Sequence, residues 1–245
     1  MQKCTLLLTA LACVLAACGH SNSVEPGMYR AAIQLAGGEV PIQLRIDRND
    51  SGLQLWVVEG VLQAQATDVK ITGNHLSATL PYDMGVLQSQ FDRDSLKGEL
   101  TRSLAGTAQS FPITARHNES YRFWKDFATD NTDVSGNWRV QIESTSVLLS
   151  LSQLRDAVDG QVQLQEVPCD VVGQAHNDDV YLAAYCKSRL WLFKGSVTKS
   201  GELQGKVWSN QDAARSWQAH HTDEPLLPSD DPSRQVALPW AVPTR

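Results

Sequence analysis

The residues of this chain most able to do chemistry are its cysteines, its histidines and a recurring set of aromatics. Cys169 and Cys186 form the one cysteine pair in the body of the chain. Two thiols can exchange electrons, but catalytic dithiols usually sit as Cys-X-X-Cys at a helix start, where the dipole lowers the thiol pKa. These two lie far apart, both in strand-like sequence, which favours a structural bridge over a redox centre. His220 and His221 are adjacent in another strand-like stretch. Neighbouring strand residues point to opposite faces, so the two cannot ligate one ion from one side. His176-Asn177-Asp178-Asp179 offers carboxylates to a hard cation, yet it lacks the spacing of a calcium loop and reads as a polar hairpin turn. No Gly-x-Ser-x-Gly elbow, P-loop or dinucleotide fingerprint occurs. The expectation is therefore no catalytic residue, no metal, no cofactor and no enzymatic activity. Tyr29, Trp138, Trp191, Trp208 and Trp217 remain as candidate binding residues. Such aromatics either fill a β core or line a cleft between domains or at a barrel mouth.

The other three cysteines belong to the start of the chain. Met1-Gln2-Lys3-Cys4 is followed by an apolar run from Thr5 to Ala17. One positive charge, a short apolar stretch and then small residues make the layout of a secretory signal. The run is shorter than the roughly 20 residues that a membrane-spanning helix needs. It ends in Leu15-Ala16-Ala17-Cys18, which resembles the lipobox of bacterial lipoproteins. The resemblance implies cleavage before Cys18 and acylation of that residue, including palmitate. Two or more acyl chains anchor a protein stably, where one does so only marginally. Gly19, rather than an aspartate, follows the cysteine, which resembles the default signal for the outer membrane, periplasmic face. Cys4 and Cys13 would leave with the signal, and Cys169 and Cys186 would meet in a compartment where disulfides persist.

Of 245 residues, 228 remain once residues 1–17 are removed, enough for one large or two small domains. The formal charge then moves from −6 to −7, because the removed segment carries Lys3 and no acid. No Lys/Arg block remains to hold nucleic acid or an anionic surface.

Any site must be positioned by strands, because apolar–polar alternation dominates. Tyr29 to Leu35, Val40 to Asp47 and Leu53 to Val57 each alternate, separated by Gly, Asn and Asp. Short strands at this spacing predict an all-β fold of sandwich or barrel type. The chain also repeats itself. Gly27-Met28-Tyr29-Arg30-Ala31-Ala32-Ile33 matches Gly136-Asn137-Trp138-Arg139-Val140-Gln141-Ile142, and Leu96-Lys97-Gly98 matches Leu203-Gln204-Gly205. Gln109 to Ala115, containing Phe111, answers Arg215 to Ala219, containing Trp217. One period of this length predicts two tandem, related antiparallel domains. The expected division is signal 1–17, tether 18–26, first β domain 27–125, linker 126–135, second β domain 136–222 and an extended Pro-rich tail 223–245. Leu-x-Gly is expected at a turn, and Gly37-Gly38 at a hairpin needing positive φ. Arg30 and Arg139 are expected to make the same contact in each unit, and residues 126–130 a turn of helix. Pro112 should mark a strand edge or start.

A family resemblance accompanies these features. Tyr29-Arg30, Gly37-Gly38-Glu39-Val40-Pro41-Ile42, Leu96-Lys97-Gly98-Glu99-Leu100, Phe111-Pro112-Ile113-Thr114-Ala115-Arg116 and Ser135-Gly136-Asn137-Trp138 together resemble the N-terminal, non-catalytic β region of TlpA-like periplasmic thiol-disulfide reductase lipoproteins. The resemblance implies a fold and a compartment. In those reductases a thioredoxin domain with Trp-Cys-X-X-Cys carries the chemistry, and that motif does not occur here. The leading expectation is a non-enzymatic lipoprotein, held to the membrane through its lipid, that binds a partner protein or envelope component. The alternatives are an accessory of thiol-disulfide exchange beside a thioredoxin-like protein, and a small-ligand carrier using a barrel interior.

Overall fold

The computed structural model describes residues 23–226, apart from residues 51, 60, 61, 105, 165, 166, 187, 188 and 211. The signal segment, Cys18 and the tail beyond residue 226, with Pro239-Trp240, lie outside the described residues.

Alternating sequence gives strands, and the strands form two consecutive meanders. The first runs β1 (Gly27–Leu35), β2 (Gly38–Asn49), β3 (Gly52–Glu59), β4 (Leu62–Gln65), β5 (Thr67–Thr72), β6 (His75–Leu80), β7 (Gly85–Phe91), β8 (Ser95–Leu104) and β9 (Thr107–His117). Antiparallel pairing of β1 with β9 brings the ends of this meander together. β4 and β5 are the halves of one bent strand, β4 on β3 and β5 on β6, and the break at Ala66 leaves the barrel nearly rather than fully closed. Pro112 lies in β9 just past Ile33↔Ile113, where the β1 ladder ends and no amide donor is required.

The second meander runs β10 (Gly136–Ile142), β11 (Thr145–Leu154), β12 (Ala157–Leu164), β13 (Val167–His176), β14 (Asp179–Cys186), β15 (Arg189–Val197), β16 (Leu203–Ser209) and β17 (Arg215–His221). It closes fully, β10 on β17. The fold is thus all-β, with two tandem barrel domains.

The repeat is visible in how each barrel is fastened. Tyr29 donates its hydroxyl to the Glu25 carbonyl at 2.6 Å, and Trp138 donates its indole N–H to the Val134 carbonyl at 2.9 Å, each four residues upstream. Tyr29 lies opposite His117 and Trp138 opposite His221. Just beyond those histidines, Asn118 N–H donates to the Met28 carbonyl and Thr222 N–H to the Asn137 carbonyl. The register pairs Ala115 with Ala31 and Ala219 with Val140, so Trp217 corresponds to Ile113 rather than to Phe111.

Three local features differ from the sequence expectation. Leu-x-Gly is not a turn: Gly98 and Gly205 lie inside β8 and β16. Polar chain before the first strand ends sooner than Pro26, because Val24 is 1% exposed and packs in the first core, while Glu25 N–H donates to the Arg93 carbonyl. No helix forms over residues 126–130, and residues 118–135 run irregularly along the second barrel.

That segment is fixed rather than loose. Arg122 donates to the Val158 and Gly173 carbonyls at 2.7 and 2.8 Å and to Asp159 at 2.7 Å. Gln174 accepts from the Phe123 and Trp124 amides through one oxygen. From the first barrel, Arg30 donates to the Tyr121 and Arg122 carbonyls and to Glu39. Arg139 pairs with Glu224 instead. Both arginines therefore hold the chain just after the last strand of their own barrel, but with different partners. Of the two, only Arg30 stacks on an aromatic ring among the described residues, that of Tyr121 at 4.2 Å.

Candidate functional site

The five candidate aromatics separate into two groups. Tyr29, Trp138, Trp191 and Trp217 are 1–6% exposed and belong to the barrel cores. Trp208 points outward from β16 and packs, half-buried, against the core cluster of the first barrel. Trp208 alone of the five thus reaches the seam between domains.

The seam follows from a break in alternation. Leu190-Trp191-Leu192-Phe193 on β15 is apolar throughout: Trp191 and Phe193 face the second barrel's interior, Leu190 and Leu192 join the first barrel's cluster. A strand covered on both faces loses its polar alternation. Ala183 of β14 makes the same outward contact, and the Tyr185 hydroxyl donates to the Pro41 carbonyl. The hairpin between β1 and β2 then seats its tip on Trp208. A β-carbon on Gly37 would fall 2.2 Å from Cδ2 of that indole, so contact rather than positive φ fixes this glycine. Gly38 does carry the positive φ, at +127°.

Lys194 lies at this seam, its ammonium 4.8 Å from the centre of the Tyr181 ring. Burial pushes its pKa down, against the opposing pull of Glu39. Burial, and then Asp179, push the Tyr181 hydroxyl up. Tyr181 also carries Trp124, at 4.3 Å between ring centres, and Trp124 stacks on His176 at 5.3 Å. Where the linker leaves the first barrel, a cavity of about 570 Å³ opens between Gln43, Tyr121, Lys125, Phe127, Ala157 and Gln174. The Lys125 ammonium, at 2.9 Å, draws the Glu119 carboxyl below its usual range. Phe127, 79% exposed, lines this cavity, and Leu154, 78% exposed, pairs with Ala157 of the same cavity.

Two further concavities lie on the outer walls. One of about 740 Å³ crosses β14 to β17, and one of about 540 Å³ crosses β5 to β8. All three spaces are lined largely by outward-facing side chains.

The remaining candidates take structural places. Cys169 and Cys186 are joined as a disulfide between β13 and β14, Cα atoms 4.9 Å apart, with Cys169 fully buried. His221 packs on Trp138 at 3.7 Å between ring centres, and both His220 and His221 are exposed at the end of β17. Asn177-Asp178 forms the β13–β14 turn, tied to the linker by Thr132 donating to Asp178. Among the described residues, no three His, Cys, Asp or Glu side chains group as metal ligands.

No family model and no curated protein matches the chain. Among solved structures, the chain is similar to a protein of unknown function from the DUF3598 family of Nostoc punctiforme. That likeness has 10% identity and a TM-score of 0.28, and it covers 79% of this chain and 94% of that one.

Proposed function

We infer that the chain is a lipid-anchored, non-enzymatic protein of the bacterial envelope, on the periplasmic face of the outer membrane, that binds a partner protein or envelope component. The carrying observation is Leu15-Ala16-Ala17-Cys18 set so close to the fold. Only residues 19–23 separate Cys18 from the buried Val24. Fully extended, that connection spans about 20 Å at most, which would hold the first barrel near the lipid surface. Binding by the outer surface is supported by interiors given over to apolar packing and by cavities that open on the outside.

Cys18→Ser is the test. The parent should fractionate with membranes and take up labelled palmitate, and the variant should do neither. A variant that stays membrane-bound, or a parent that takes up no label, overturns the anchor.

A further inference from the structure

The two outer-wall concavities occupy the same place in the repeat. Gly205 lies opposite Gly195, and its counterpart Gly98 lies opposite Ser89. A β-carbon on Gly205 would fall 1.9 Å from the Lys194 carbonyl oxygen, and one on Gly98 2.0 Å from that of Gln88. Lys194 and Gln88 are themselves equivalent, since each faces the residue just after the repeated glycine. In each barrel, strand backbones thus approach closely at the repeated glycine, where a side chain would not fit.

The registers carry the equivalence outward. Across the larger groove run the rows Tyr181, Lys194, Lys206, Ser216 and Asp179, Ser196, Gln204, Gln218. The matching rows of the smaller groove are Ser77, Gln88, Glu99, Pro112 and His75, Gln90, Lys97, Thr114. All of the first eight residues line the larger cavity, and six of the second eight line the smaller one.

The chemistry of the linings selects a ligand class. Amides and hydroxyls both donate and accept hydrogen bonds, which suits a ligand rich in hydroxyls. Lysines in both grooves are accompanied by acids, Asp179 and Glu143 in the larger and Glu99 in the smaller, so neither is a sink for a polyanion. Tyr181 and Trp208, each partly covered at the seam, line the larger groove, and His75 lines the smaller.

We propose that the two grooves are related binding sites for an uncharged, hydroxyl-rich glycan, the larger being the tighter. The duplication suits a ligand that itself repeats, as a polysaccharide does. This deepens the envelope-component reading above and rests on it.

The test titrates the purified full chain calorimetrically with N-acetylglucosamine oligomers and, separately, with maltooligosaccharides. Two sites per chain are expected for at least one series. Replacing Gln204→Ala with Gln218→Ala should weaken the tighter site roughly tenfold or more, and Gln88→Ala with Gln90→Ala the weaker one. All four glutamines are exposed, so an unchanged melting temperature serves as the folding control. The proposal is overturned if neither series binds, or if binding survives both pairs of substitutions unchanged. Membrane fractionation of Cys18→Ser is read independently, so the anchor and the grooves fail separately.

Discussion

Gly37→Ala probes the union of the two barrels with one added methyl group. The new carbon would lie 2.2 to 2.7 Å from Cδ2, Cε3 and Cε2 of Trp208, well inside contact distance. Those atoms belong to the rigid part of the indole, half-buried against the first barrel's core cluster, so relief requires the hairpin tip or the whole ring to move. Overpacking of this kind costs about 1–3 kcal/mol. Gly37 does not have a positive φ, so the substitution also recovers about 0.4–1 kcal/mol by restricting the unfolded chain. The net expectation is a loss of about 1–2 kcal/mol, a melting temperature lower by roughly 2–8 °C for a chain of this size. The decisive assay is a thermal double-mutant cycle with Trp208→Ala. Removing the indole creates the room that the added methyl needs, so the cycle should show a coupling on the order of 1 kcal/mol or more. If Gly37→Ala is neutral or stabilising, or if the two changes simply add, the hairpin does not rest on Trp208 and the barrels are not joined as described.

Cys169→Ser should lower the melting temperature by up to about 10 °C, from roughly 3 kcal/mol of lost chain constraint. An unchanged value removes the disulfide's stabilising role. Burial, with Glu25 and then Asp94 adding to it, pushes the Tyr29 hydroxyl up to about 12 from its ordinary 10.0. The folded state thus favours the neutral phenol, so this stabilisation is complete below pH 10 and disappears as pH rises toward 12. Tyr29→Phe should flatten that alkaline loss in a denaturation series, and a profile identical to the parent's refutes the assignment.

The tandem organisation could be read in the sequence because a repeat preserves what each unit needs to close. Gly-x-aromatic-Arg at residues 27–30 and 136–139 marks the first strand of each barrel, and in both units the aromatic holds a carbonyl four residues earlier. The closing histidines were not read from the sequence, although His117 and His221 each sit two residues beyond the matched Ala115 and Ala219. Nor was the role of Leu-x-Gly. A glycine in a turn and a glycine inside a strand look alike in isolation, although Gly98 and Gly205 lack the neighbouring Asn, Asp or second Gly that usually completes a turn. Gly37 was beyond reach, because its constraint comes from Trp208, remote in sequence and on the other barrel.

The seam left a trace that alternation alone overlooks. Leu190 to Phe193 is a four-residue apolar run in a chain whose strands mostly alternate, and Leu182-Ala183-Ala184-Tyr185 in the adjacent strand is similar; the other such run, Leu55 to Val58 of β3, has its outward Trp56 covered by the Arg45 guanidinium instead. Period two requires every second side chain to meet water unless something covers it, so such a run states that both faces are buried. One face is the barrel interior, and the other had to be supplied from elsewhere in the chain. The first repeat has no such run at the matching strands: β6 and β7 read His-Leu-Ser-Ala-Thr-Leu and Gly-Val-Leu-Gln-Ser-Gln-Phe, polar on alternate positions. The same strands of the repeat thus diverged in one respect. In the second barrel part of their outer face was given to the domain contact. In both barrels the polar stretch beside the repeated glycine stayed open, and that shared polarity is the reason to look for the ligand there.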